Sequence, residues 1–395
     1  HLSTGTICQH IGEQFYDEKF FKENQIHYYR VPPPGRMSIL FVVAPSPKPW
    51  DGRSLVDAPL GGSESSVAYL ARSLARLHHT VFVLCNTRDD QIIDVDGVCY
   101  RPYASLKGAL QHPWDAVVVV RWPDIISHPM GDDVKSLLFW AHDLMQFNDL
   151  AAAYGANLSD QDATDVFITL SQFHQAVTRA ASPPWPYTAH EIIPNGLDLS
   201  LFRGTEPRDP NRLIWTSNPN RGLFNAVRIF RKLYATNPDL TFHIYGRSAV
   251  YGWGAGDPMH ERFYLPNAGE PGVVLHDPLP KPALAREYMK SWALLYPSTW
   301  PESFCIAATE AQAGGCPVIA TPYGALPETV QGGVLSFDIE AAFNQLRSDP
   351  KEWERQSLRG LNYTSHLDWD AVAQHWVTLI KAVQARRVQE GRIPA

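Results

Sequence analysis

The chain has 395 residues, 45% of them hydrophobic and 19% charged, enough apolar material for a sizeable core and too much for wholesale disorder. At about 150 residues per domain it divides into two or three domains, and a net charge of −7 argues against a dedicated nucleic-acid binder, which carries a basic excess. No apolar run approaches the ~18 residues of a membrane span, and no charged-apolar-small leader is visible.

Residues 1–36 differ in character from the rest of the chain. Phe15, Tyr16, Phe20, Phe21, Tyr28 and Tyr29 make them aromatic-rich, and Pro32-Pro33-Pro34-Gly35 is a stiff break. They read as an extension packed on the first domain or as the tail of an excised neighbour. The start at His1 rather than Met fits a processed or excised chain.

Strand-length apolar runs then recur at residues 39–44, 80–84, 116–120, 136–141 and 166–170. Most are continuous rather than alternating, as in strands buried on both faces of a parallel sheet. Between the first two, residues 63–77 place Val67, Leu70, Ala71, Leu74 and Leu77 on one helical stripe. The pattern pauses at Pro194-Asn195-Gly196-Leu197-Asp198 and at residues 203–212, where Pro207 and Pro210 indicate turn and linker chemistry. It resumes with runs at 213–216, 240–245, 272–275, 292–296, 317–320 and 333–337, interleaved with helical patterns at 225–234 and 282–289. Residues 369–383 carry Val372, Trp376, Leu379, Ile380 and Val383 at helical spacing. Strands alternating with helices mean right-handed βαβ units. The expected architecture is therefore α/β, two doubly wound Rossmann-like domains facing across a cleft. The first covers 37–200 and is joined by a C-terminal helix at about 370–395; the second covers 201–369.

Five cysteines at positions 8, 85, 99, 305 and 316 form no CxxC pair. A disulfide framework and a zinc knuckle are both disfavoured, and a reducing compartment fits. The histidines include no HExxH, and His78-His79 reads as the surface end of a helix.

The chemistry concentrates between Tyr296 and Glu328. A strand ends at Pro297, a loop comes next, a helix is expected over residues 306–313, and Gly314-Gly315 stops it. A helix start just beyond a strand's carboxyl end is an anion site, with the free amides of Phe304, Cys305 and Ile306 facing the ligand. Glu302 lies before the helix and Glu310 within it. Eight helical residues span about 12 Å, room for one carboxylate at a sugar and the other at a ribose with a diphosphate between. Carboxylates accept hydrogen bonds from vicinal hydroxyls in pairs.

This segment resembles the E-x7-E motif of the retaining nucleotide-sugar glycosyltransferases of the GT-B fold, the glycosyl transferases group 1. The resemblance covers about residues 37–385. Gly61-Gly62-Ser63-Glu64 is similar to the family's glycine-rich loop, Trp140-Ala141-His142-Asp143 to its His-Asp turn, and Ile193-Pro194-Asn195-Gly196-Leu197-Asp198 to its hinge. The resemblance implies catalytic roles for Glu302, at the transferred sugar, and His142, which reaches it from the first domain. It implies donor contacts from Gly62, Ser217, Arg221, Arg247, Ser303, Phe304, Cys305, Ile306 and Glu310, the last at the ribose. The chain departs from the family where a Gly-Arg pair and a later lysine meet the diphosphate. Ser217-Asn218 stands at the pair and Arg221 at the lysine, so one positive charge is missing, which Arg247 is a candidate to supply. Ser217 offers a hydroxyl for a phosphate oxygen.

By the same resemblance residues 276–281 pass the nucleobase. Guanine favours a carboxylate there, and Pro280 and Lys281 tilt the reading toward a uridine donor. The implied activity is metal-independent and cofactor-free. A sugar passes with retained configuration from a nucleoside-diphosphate sugar to a hydroxyl of a glycan, glycolipid or small molecule. A nucleotide-sugar epimerase or phosphorylase on the same fold and a catalytically silent binding module are the alternatives. A dinucleotide oxidoreductase is disfavoured because residues 61–64 lack GxGxxG spacing. A cytoplasmic location is expected, with peripheral membrane contact open. Arg72, Arg76, His78 and His79 would form either a mildly basic face for anionic lipid or a plain solvated helix face.

Overall fold

The computed structural model describes residues 35–128, 130–144, 164–181, 189–246 and 269–394. Arg247, Cys8 and all but the last two residues of the N-terminal extension lie outside the described residues. Eight strands form a first sheet: β1 (Ser38–Val43), β2 (Thr80–Leu84), β3 (Ile93–Val95), β4 (Val98–Arg101), β5 (Ala116–Val120), β6 (Leu137–Trp140), β7 (Val166–Thr169) and β8 (Ala189–Ile192). Their order is β3-β4-β2-β1-β5-β6-β7-β8, with only β3 antiparallel to its neighbour. Successive residues of one strand enter different cores, as strands covered on both faces must. Ile39, Phe41 and Val43 pack on one side with helix α1 (Gly62–Arg76), and Leu40 and Val42 pack on the other around Trp114.

Six strands form the second sheet: β9 (Asp209–Trp215), β10 (Thr241–Ile244), β11 (Val273–Leu275), β12 (Ser291–Tyr296), β13 (Val318–Ala320) and β14 (Gly333–Leu335). All are parallel, in the order β11-β10-β9-β12-β13-β14. This is the doubly wound 3-2-1-4-5-6 order, whose ligands sit beyond the carboxyl ends of the strands where the order reverses, here between β9 and β12.

The structure departs from the expected elements in four places. The expected linker at 203–212 ends early, because Asp209–Trp215 is one strand that pairs with β10 and β12. The short β3–β4 hairpin and the edge strand β8 were not expected from the apolar runs. The last run stops at Leu335, leaving Phe337 81% exposed.

The chain crosses between the sheets near Leu197 and Asp368, and the two crossings bridge each other. The Leu197 amide donates to Leu367 O at 2.6 Å, and the Trp369 amide donates to Leu197 O at 3.2 Å. The chain then returns along the first domain as helix α8 (Trp369–Gln389). Trp376 sits 5.0 Å from Trp140 and 6.5 Å from Phe41, ring centroid to centroid. Arg72 reaches the hinge, 2.6 Å from Asp198, and Arg76 lies 2.8 Å from Asp370. These pairings commit two of the four residues of the expected basic face to holding the hinge and α8.

On the cleft side the domains meet at polar contacts. Ser303 Oγ donates to His142 O at 2.6 Å, and Ser171 Oγ donates to Ser303 O at 2.8 Å. The amides of Gln172 and Phe173, at the start of helix α2 (Gln172–Ala181), each donate at 2.7 Å to the Glu328 carboxylate of the second domain. A carboxylate there meets free amides and the positive end of the helix dipole, worth about 1 kcal/mol. Glu328→Ala is expected to loosen closure, raising the radius of gyration from small-angle scattering. An unchanged value would show that this contact does not hold the cleft.

Candidate functional site

The expected site residues lie at strand carboxyl ends. Ser217 and Arg221 follow β9, residues 302–306 follow β12, Gly62 follows β1 and His142 follows β6. Helix α5 (Ile306–Ala313) starts across the cleft from Gly62. A Cβ on Gly62 would come within 3.2 Å of Ile306 Cδ1, so the two helix starts approach closely. The Ala308 amide donates to Cys305 O at 3.1 Å, whereas the amides of Ile306 and Ala307 before it have no acceptor within their own helix. Cys305 opens it with φ +68°, a left-handed conformation that costs a non-glycine residue about 1–2 kcal/mol. Burial pushes its thiol well up, so it stays protonated.

Glu302 is buried at 8% exposure. Oε1 lies 2.7 Å from the Tyr296 hydroxyl, and Oε2 lies 4.0 Å from Arg221 Nη1. Burial raises its pKa, opposed by Arg221 and the Tyr296 bond. Its backbone is gripped at Gly324, whose φ is +64° and where a Cβ would lie 2.3 Å from Glu302 N; the next amide, Ala325, donates to Glu302 O at 2.8 Å. A side chain at 324 would displace the loop.

Arg221 stands 4.5 Å over the Trp300 ring, a cation–π contact that fixes the guanidinium beside Glu302. The position where a first cation was expected is held by Asn218, whose side chain accepts from the Asn220 amide at 3.1 Å and caps the turn carrying Arg221. Asn218 thus helps to place the remaining cation.

At the other end, Glu310 is 8% exposed. It pairs with Lys281, the first residue of helix α4 (Lys281–Lys290), and Tyr288 donates to it at 3.4 Å. A narrow cavity of about 20 Å³ opens here among Ser65, Tyr69, Lys281, Ile306 and Glu310.

His142 is buried against Trp140, with ring centroids 4.5 Å apart. Burial, helped by Arg121, pushes its pKa down to about 3, so the ring is neutral near pH 7. Its Nε2 is buried with no hydrogen-bond partner among the described residues.

The structure thus brings Glu302, Arg221 and Ser217 together through Tyr296, sets His142 against Ser303, and puts Gly62 against Ile306. Phe304 is buried in the core beside them. Glu310 lies eight residues beyond Glu302, in the middle of α5.

Sequence reasoning missed four residues here. Tyr296 entered only as the end of a strand run, Tyr288 only within a helical pattern, and Lys281 only as the absence of an acid. Arg121, at the carboxyl end of β5, takes φ +58° and donates to Asp143 Oδ2 at 2.8 Å and to Ser63 Oγ at 2.8 Å, tying the His-Asp turn to the glycine loop. Its position just past a buried strand was the available signal.

Two doubly wound sheets facing across a cleft, with a helix start and two carboxylates at the second switch point, define a GT-B architecture. Residues 214–357, most of the second domain, match the family model for glycosyl transferases group 1. It is 29% identical over 211 residues to D-inositol 3-phosphate glycosyltransferase from Thermomonospora curvata, 46% of this chain and 48% of that protein. The chain spans about half the length of the curated relatives it matches. Among solved structures, sucrose-phosphate synthase from Thermosynechococcus elongatus superposes with a TM-score of 0.67 at 18% identity, covering 89% of this chain and all of that one. Anabaena HepE in complex with UDP-glucose superposes at 0.63 and 16% identity, covering 88% of this chain and 100% of that one. These likenesses establish the fold. No helix among the described residues is long and apolar enough to cross a membrane.

Proposed function

We propose that the protein transfers a sugar from a UDP-sugar to an acceptor hydroxyl with retention of configuration. The observation that carries this reading is the pair of buried carboxylates, Glu302 and Glu310, on either side of the α5 start, the first of them 4.0 Å from Arg221. Glu310 takes the ribose hydroxyls. The α5 amides and Arg221 meet the negative charge that gathers on the departing diphosphate, so the charge is stabilised without a metal. Glu302 faces the positive charge that develops at the sugar. His142, neutral and with Nε2 unpaired, takes a sugar hydroxyl. The departing phosphate removes the acceptor's proton on the same face, which accounts for retention.

A cavity of about 130 Å³ at the carboxyl end of β1, among Ser46, Lys48, Trp50, Leu60, Gly61 and Glu64, is the proposed entry for the acceptor. The name of the Thermomonospora curvata relative and the HepE complex support a small polyol acceptor and a UDP donor. Closure about the hinge limits donor hydrolysis by excluding water.

Melting curves with UDP, GDP, ADP and their glucose or mannose conjugates test the donor side. UDP and a UDP-sugar are expected to raise the melting temperature, by roughly 2.7 kcal/mol of stabilisation at a hundredfold excess over Kd. No shift with any nucleotide would remove the donor site, and a shift with GDP alone would overturn the choice of base. Anomeric NMR of the product distinguishes transfer from epimerisation, and binding without turnover would favour a silent module.

A further inference from the structure

The Tyr296 hydroxyl lies between two partners, 2.7 Å from Glu302 Oε1 and 3.0 Å from Ser217 Oγ. Its ring is fixed by stacking on Trp215, centroids 4.8 Å apart, and is fully buried. A phenol has a single hydrogen, and an ionised carboxylate only accepts. With Glu302 charged, the Tyr296 hydrogen must go to the carboxylate, so the short contact to Ser217 is made with the serine's own hydrogen. The Ser217 hydroxyl then has no hydrogen left to donate and turns only lone pairs toward the cleft, an arrangement suited to a sugar hydroxyl and repulsive to phosphate oxygen.

We propose that Tyr296 and Ser217 are positioning residues for Glu302. They form a two-hydroxyl chain ending on its carboxylate, so that Ser217, though it lies where a diphosphate contact is expected, serves the sugar end of the site. This rests on the proposed transferase activity and adds residues to it. Arg221 remains the cation for the diphosphate, held in place by Trp300. The charged and titratable groups that act on Glu302 are Arg221 from the turn after β9, Tyr296 from β12 and Asp143 from the turn after β6, and Cys305 is coupled to it from the start of α5. Arg221 and the Tyr296 bond both favour the ionised carboxylate, so removing the Tyr296 bond drives its titration upward.

Tyr296→Phe, Ser217→Ala and the double variant are compared with wild type, using UDP-glucose, GDP-mannose and ADP-glucose as donors and calorimetric titration with UDP, GDP and ADP. Tyr296→Phe is expected to lower kcat about 10- to 100-fold and to move the acid limb of the kcat/KM profile to higher pH. Ser217→Ala is expected to move the same limb in the same direction by less, with nucleotide Kd within about twofold of wild type. The double variant should resemble Tyr296→Phe alone, because the two act through one chain. Ser217→Thr, which keeps the hydroxyl, should restore the profile. A tenfold loss of nucleotide affinity in Ser217→Ala would make it a diphosphate ligand and overturn the inference. So would unmoved pH profiles in both single variants. A wild type that neither binds a nucleotide nor consumes a donor would overturn the transferase reading itself.

Discussion

Glu302→Gln is expected to lose about 100- to 1,000-fold in kcat while keeping nucleotide Kd within about threefold, and to gain stability at the same time. The activity loss follows from position. The carboxylate is buried at the point where the sugar would carry developing positive charge, and a neutral amide of the same shape offers a dipole in place of a full charge. The proposed diphosphate contacts are Arg221 and the α5 start rather than this carboxylate, so nucleotide binding is expected to be spared. The stability gain follows from linkage. Burial raises the Glu302 pKa above its ordinary range, with Arg221 and Tyr296 only partly opposing it. A carboxylate with a raised folded pKa contributes stability that is present at low pH and lost as pH rises through that pKa, because the native site then holds a charge it solvates poorly. The amide escapes that loss. Melting temperatures of variant and wild type should therefore converge near pH 4 and separate at pH 8, with the variant higher. A variant that kept more than a tenth of wild-type kcat would refute the role of the charge. One whose melting temperature fell more at pH 8 than at pH 4 would show that the ionised carboxylate holds the fold through Arg221.

What the sequence disclosed and what it withheld divide along physical lines. Strands covered on both faces read as unbroken apolar runs, so β1, β2, β5 and β12 were visible, as was the α5 helix with its glycine stop. The β3–β4 hairpin escaped because its strands are short, Ile93–Val95 broken by Asp94 at the sheet edge and Val98–Arg101 only four residues long. Its signal was the Asp96-Gly97 turn, both residues with positive φ. Strand β8, Ala189–Ile192, carries His190 and Glu191 at the opposite edge and offers little apolar signal.

At the site, local spacing located Glu302 and Glu310, since both belong to one loop-and-helix segment. Their partners come from elsewhere in the chain: Lys281 lies 29 residues before Glu310, and Glu328 caps a helix 156 residues away. Such pairings are set by how distant segments pack, within the second domain for Lys281 and between the domains for Glu328, and no local pattern encodes them. Asn218 illustrates the converse. Compared with the family pattern it read as a lost charge, whereas its contacts show a cap that orients Arg221.

Glu310→Ala is expected to weaken nucleotide binding and to destabilise the second domain, and a second substitution separates the two effects. Lys281 and Glu310 form a pair whose side chains are only 12% and 11% exposed. Deleting one partner of a buried pair leaves the other charged and poorly solvated, at a cost of about 3 kcal/mol or more. For a domain of this size that is a fall of roughly 6–12 °C in melting temperature. Replacing Lys281 by methionine in the same chain keeps the buried stem and removes the stranded ammonium, so Lys281→Met/Glu310→Ala should recover most of the lost stability. It should not recover affinity, because the carboxylate proposed to take two ribose hydroxyls is still missing, an expected loss of about 10- to 100-fold in UDP Kd. Lys281→Met alone should be as destabilised as Glu310→Ala, since it strands the carboxylate with only the 3.4 Å contact from Tyr288. A double variant that melts like wild type and also binds UDP like wild type would reduce Glu310 to a structural partner of Lys281 and leave the ribose end of the site unassigned. One that stays unstable while binding normally would place the pair's importance in folding alone.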